Sequence, residues 1–305
     1  MKWLYNPQTG NSKWWSWWLA IGLMLFCYLV VGGVPLIYGV RAGLFGIDLD
    51  TGMITGVSEP IAFGVQMISP IMLFLGVWLA QRLVHRRSLL SLVTTNRFRW
   101  QLLWQATFVW LLVLIISAIF ESLVYTGRYV WSLDVGRWLV MTPLVLLLIP
   151  IQSSGEELFF RAYLLQSCGR LTRRRFLLSI ISGFAFMLPH LVNPEMHHAL
   201  GGTFVMAANY FLFGAAIAWL SLRDGGIERA IGVHVINNLY AASFVGYADS
   251  VLSTPTLMNA TILDAWWGIG TLIIGFGVLF YLPSPANGVF RYLYWPNSDC
   301  SGNNV

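Results

Sequence analysis

Eight apolar runs, each about as long as a bilayer is thick, decide what this chain can become. They cover roughly 17–38, 61–84, 102–124, 138–165, 176–191, 203–222, 227–247 and 262–282. A helix needs about 20 apolar residues to cross the hydrocarbon core. Of the 305 residues, 57% are hydrophobic and 10% charged, far from the make-up of a soluble domain. The expected class is all-α: a polytopic integral membrane protein of about eight transmembrane helices, read as a single membrane domain over 1–305. The fifth run is short. The fourth is long, so it should tilt or extend into the interface. The first, preceded by Lys2 and Lys13, is too long for a signal-peptide core and lacks a small-residue cleavage site, so it reads as a retained helix.

The charges between the runs alternate. Lys2 and Lys13, then Arg82, Arg86, Arg87, Arg97 and Arg99, then Arg170 and Arg173 to Arg175, then Arg223 and Arg229, and finally Arg291 fall on alternate connections. The others hold Arg41, Arg128 and Arg137 with Asp48, Asp50, Glu59, Asp134, Glu195, Asp249 and Asp264. Basic loops stay on the cytoplasmic side, so both termini are expected in the cytoplasm, with the chain in the cell's inner membrane. The net charge of +5 is accounted for by these loops, and nucleic acid is not an expected partner. Trp14, Trp15, Trp17, Trp18, Trp100, Trp104, Trp131, Trp138, Trp266 and Trp267 cluster near run ends, as in an interfacial belt. The tail around Arg291 reads equally as an interfacial segment and as a poorly ordered end. Cys27, Cys168 and Cys300 are isolated, and no internal repeat is visible.

One stretch contradicts its surroundings. Gly155-Glu156-Glu157-Leu158-Phe159-Phe160-Arg161 puts two carboxylates and a guanidinium in a membrane run. Ionisable groups inside a bilayer are expensive and mark function. Glu157 and Arg161, four apart, can pair on one helix face. Glu156 lies about 100° round the helix and is left as the free carboxylate, suited to general-base work. Elsewhere in the runs, His190 ends the fifth, while His234 and Asn238 lie four apart in the seventh, with Asn237 a weaker candidate for their face. Three helices carrying such groups point to one shared polar cavity. The depths agree imperfectly: counted along helices, His234 comes at about 10 Å, Glu156 at about 14 Å and His190 at about 20 Å from the cytoplasmic side.

Glu156-Glu157-x-x-x-Arg161, Phe186-x-x-x-His190 and His234-x-x-x-Asn238, in that order, resemble the motifs of the CPBP family of intramembrane proteases. That family includes type II CAAX prenyl endopeptidases and bacteriocin-processing or immunity proteins. The resemblance covers about 144–247; the helices over 17–124 carry no recognised motif. It implies an intramembrane endopeptidase acting on a membrane-embedded or lipidated protein or peptide. In it Glu156 and His190 would activate water, His234 and Asn238 would hold the oxyanion, and Glu157 and Arg161 would support the site. The alternatives are a non-catalytic membrane partner or immunity protein and, less favoured, a transporter, whose usual mark is an internal repeat.

A zinc cofactor is open at this stage. His190, His234 and Glu156 make a His₂Glu set, but Glu156 would then be ligand as well as base. Glu157 is committed to Arg161, and Glu121 lies at the outer end of its helix, away from the other groups. The favoured mechanism is therefore metal-free. His197 and His198, beside Glu195 in an outer loop, could bind a metal there but read more readily as solvated loop residues, and Asp50-Thr51-Gly52 is an isolated tripeptide in an outer loop.

Overall fold

The computed structural model describes residues 2–5, 10–48, 52–95, 97–247, 250–252 and 254–284. Asp50, Thr51, Asp249, the tail around Arg291 and Cys300 lie outside them. Eight helical segments correspond to the eight runs: α1 (Trp14–Arg41), α2 (Glu59–His85), α3 (Trp100–Val124), α4 (Val135–Cys168), α5 (Arg175–His190), α6 (Gly202–Asp224), α7 (Glu228–Ser243) and α8 (Ala265–Tyr281). The chain is an all-α polytopic membrane protein. Five segments, α1 to α4 and α6, are long and apolar enough to cross a membrane; α5 and α8 are shorter apolar helices.

The seventh segment differs from the expected span. It ends at Ser243, and Val245–Tyr247 forms a strand. Its residues Glu228 to His234 are all buried. It packs against α3, α4 and α6, so protein rather than lipid surrounds it. Its polar groups meet other side chains, and the run need not be apolar.

Among the described residues, three segments are wound locally as π-helix: Phe26–Val31 in α1, Ala80–His85 in α2 and Leu158–Tyr163 in α4. Such stretches are rare and often accompany function. The third begins one residue after Glu157.

The connections gather alternately at two ends of the bundle. At one end, β1 (Gly46–Ile47) pairs with β2 (Ile54–Thr55). There too, β3 (Tyr129–Trp131), β4 (Val245–Tyr247) and β5 (Met258–Ala260) form a sheet in the order β3-β5-β4. This sheet joins the α3–α4 and α7–α8 connections, a bridge from Leu200 to Asp264 adds the α5–α6 connection, and an ion pair from Arg137 to Glu59 adds the start of α2. At the other end, Thr94 bridges Gly226 and Arg99 pairs with Glu228 at 2.5 Å. Caps fit this layout: Asp134 accepts from the backbone of Arg137 at the start of α4, and Asp264 from Trp266 and Trp267 at the start of α8.

Close helix packing holds the site's scaffold. On α6, a Cβ at Gly214 would lie 3.0 Å from the Gly183 Cα of α5; small residues permit that approach. Trp14, Trp18, Trp100 and Trp266 are exposed near helix ends, but Trp17 is buried against His85 and Tyr163. Trp17 is therefore core, because the end of α2 covers it.

Candidate active site

Glu157 and Arg161 do pair, at 3.0 Å and fully buried. The guanidinium also lies 4.0 Å from the centre of the Phe186 ring, on α5, a cation–π arrangement that lets an aromatic face stand in for missing acceptors. Phe186 reaches further: its ring is 4.4 Å from that of His190 and meets that of His234 edge-on at 5.6 Å. The aromatic member of the second motif thus packs all three motifs together.

Glu157 has a second partner. Its Oε1 lies 2.6 Å from Nδ1 of His234. A carboxylate accepts, so Nδ1 carries the proton and the imidazole presents Nε2 on its other side. That nitrogen lies 3.7 Å from Glu156 Oε2, too far for a direct hydrogen bond. Glu157 therefore does more than neutralise Arg161, since it also fixes the ring of His234.

Glu156 is not wholly free. Its Oε1 accepts from the amide of Gln152, one turn earlier on α4, while Oε2 has no hydrogen-bond partner. Gln152 Oε1 in turn accepts from Asn238 Nδ2 at 3.3 Å, and Ser153 Oγ lies 3.2 Å from the same nitrogen. Gln152 thus links Glu156 to Asn238. Its position four residues before Glu156 was the available signal, by the same rule that paired Glu157 with Arg161. Asn237 accepts from Trp110 Nε1 at 3.2 Å, which ties α7 to α3.

His190 holds its Nδ1 2.7 Å from the Phe186 carbonyl. A carbonyl can only accept, so this nitrogen is the protonated one and Nε2 is available as an acceptor. The imidazole at ion-pair distance from Glu156 is that of His234. Glu156, His190, His234 and Asn238 nevertheless all line one cavity of about 640 Å³. The unequal depths counted along straight helices do not keep them apart.

Two acids from a helix end and a connection are buried in the fold. Glu121 lines the same cavity, pairs with Arg128 at 3.1 Å and accepts from the Tyr129 hydroxyl at 2.5 Å. Glu195 is not solvated: it is 1% exposed. Its carboxylate takes the Tyr210 hydroxyl, the Asn193 amide at 3.0 Å and the Val251 N–H at 3.3 Å. His197 and His198, beside it in the short helix Glu195–His198, are exposed. In both cases the end of the bundle that carries β3, β4 and β5 covers the carboxylate.

Among the described residues, no group of three or more His, Cys, Asp or Glu is disposed to hold a metal ion. Both Nδ1–H groups donate to protein acceptors and one Glu156 oxygen accepts from Gln152, which leaves the two Nε2 atoms and Glu156 Oε2 without those partners. Glu156, His190 and His234 share a cavity, but as placed they form no such three-ligand group among the described residues.

Residues 135–240 match the family model of the Rce1-like proteins, described as type II CAAX prenyl endopeptidase Rce1-like. This segment is similar to that family. It contains all seven motif residues. The chain is also similar to the uncharacterized protein YyaK of Bacillus subtilis (strain 168), at 29% identity over 275 residues. That match covers 86% of this chain and 88% of YyaK, so it extends beyond 135–240. No solved structure matches the chain. At family level, these findings support a CAAX-type intramembrane protease.

Proposed function

We propose that this protein is an intramembrane endopeptidase that hydrolyses a peptide bond of a membrane-embedded or lipidated protein or peptide. The observation that carries this reading is Glu156 Oε2, a carboxylate oxygen without a hydrogen-bond partner in a cavity shared with two imidazoles and a carboxamide. In the proposed reaction, Glu156 Oε2 takes one proton from water, whose other hydrogen is held by His190 Nε2, as the water oxygen attacks the scissile carbonyl. The tetrahedral oxyanion accepts hydrogen bonds from His234 Nε2–H and Asn238 Nδ2, donors of a kind worth about 3–4 kcal/mol each. The abstracted proton passes to the leaving amine as the C–N bond breaks.

The contacts fit these roles. Asn238 gives up only the long bonds to Gln152 and Ser153. For His234 to donate from Nε2 it must be protonated on both nitrogens. Glu156 and Glu157 against Arg161 leave one negative charge in the buried cluster, and that additional proton would balance it. Buried charge is tolerated when so compensated.

The test uses purified protein and a panel of membrane-associated peptides, prenylated and unprenylated. Wild type should cleave at least one, and Glu156→Gln should not, while expressing and melting as wild type does. Equal cleavage by Glu156→Gln would overturn the assignment.

A further inference from the structure

We infer that Tyr210 is the positioning residue of His190, and that Glu195 positions Tyr210. This rests on the reading of His190 as a water-activating residue. The Tyr210 ring stacks on the His190 imidazole, with centroids 4.4 Å apart and planes at 29°. Together with the Phe186 ring and the hydrogen bond to the Phe186 carbonyl, this contact opposes the ring flip about χ2 that would exchange the two nitrogens. Only with Nδ1 on the carbonyl does Nε2 present its lone pair to the cavity.

Tyr210 is itself held. Its hydroxyl donates to Glu195 Oε1 and accepts from Asn193 Nδ2 at 3.2 Å. Glu195 also accepts from Asn193 and from the Val251 backbone. The α5–α6 connection, α6 and the segment after β4 thus converge on one buried carboxylate. A carboxylate that deep is costly for packing alone. Here its three donors fix the phenol that lies on that imidazole. Asn193, Glu195 and Tyr210 all lie outside the three sequence motifs.

The experiment combines ring-¹⁵N histidine NMR with cleavage kinetics, with His190 assigned by its absence from His190→Gln. Wild type and Tyr210→Phe should show the Nδ1–H tautomer at His190, whereas Tyr210→Leu should show averaged tautomers. In cleavage, kcat should fall about 100-fold in Tyr210→Leu, the scale expected for a displaced catalytic group, with KM within about twofold. Tyr210→Phe keeps the stacked ring but loses the bond to Glu195, so its kcat should lie above that of Tyr210→Leu and fall at least as far as that of Glu195→Gln. Glu195→Gln keeps the ring and the shape; it should lower kcat without moving KM, and it serves if Tyr210→Leu does not fold. A folded Tyr210→Leu with the wild-type tautomer and kcat, or a Glu195→Gln with wild-type kcat, overturns the inference. If His190→Gln itself cleaves normally, the proposed function fails, and the tautomer signal still decides whether Tyr210 positions the ring.

Discussion

Glu157 holds Arg161 at 3.0 Å and His234 at 2.6 Å, with no exposed surface of its own. Removing one partner of a buried pair typically costs about 3–5 kcal/mol, because it strands the other charge. Arg161→Ala should therefore reduce folded yield and melting temperature, read by fluorescence-detected size exclusion and thermal unfolding in detergent. Glu157→Gln should do the same and also abolish cleavage in whatever protein remains folded, because His234 loses its orienting carboxylate. If Glu157→Gln destabilises but leaves the specific activity of folded protein intact, the link to His234 is idle. Spacing on one helix was enough to read the Glu157–Arg161 pair from sequence. The Glu157–His234 contact was not readable, because it joins α4 to α7 across 77 positions.

Among the elements, α4 carries the decisive irregularity. Its π-wound stretch Leu158–Tyr163 is anchored from the N-terminal helices: the Tyr163 hydroxyl donates to the Trp17 carbonyl at 3.1 Å and lies 2.9 Å from His85 Nε2. The helices without a recognised motif thus brace the helix that carries Glu156. On the other flank, α7 approaches α3 closely at Gly232, where a Cβ would meet the Leu103 carbonyl at 2.5 Å. Gly232→Ala should cost about 1–3 kcal/mol, as overpacking usually does. The comparison is Gly270→Ala on α8, where a Cβ meets nothing within 4 Å and should leave the melting temperature unchanged or raised. Equal effects at the two glycines would refute the close crossing. The helices were legible as hydrophobic runs. The π stretches were not, because a change of hydrogen-bond register leaves composition and hydropathy untouched.

For the whole molecule, the alternation of connections between two ends agrees with the alternation of charge along the chain. We propose that the basic end faces the cytoplasm, with both termini there and the protein in the inner membrane. A reporter fused after Arg174 should then report the cytoplasm and one fused after His197 the opposite side. The same side for both would remove α5 as a span. The cavity's far wall is built by the outer cap, where Arg128 lies between Glu121 at 3.1 Å and Asp264 at 3.3 Å. Nearby, burial and the Glu121 carboxylate push the Tyr129 phenol far above its ordinary range, so its hydroxyl stays a donor at any working pH.

The sequence by itself determined the class of molecule, because a bilayer's thickness imposes a run length that composition cannot hide. It also determined which residues were out of place in those runs, since an ionisable group there is too costly to be incidental. Only the tertiary structure decided what each of them touches. Glu156 meets Gln152 and faces His234, His190 lies under Tyr210, and Glu121 and Glu195 turn inward beneath the cap. Those contacts join helices distant in sequence, and their geometry depends on packing and on local changes of helical winding that no spacing along one helix encodes.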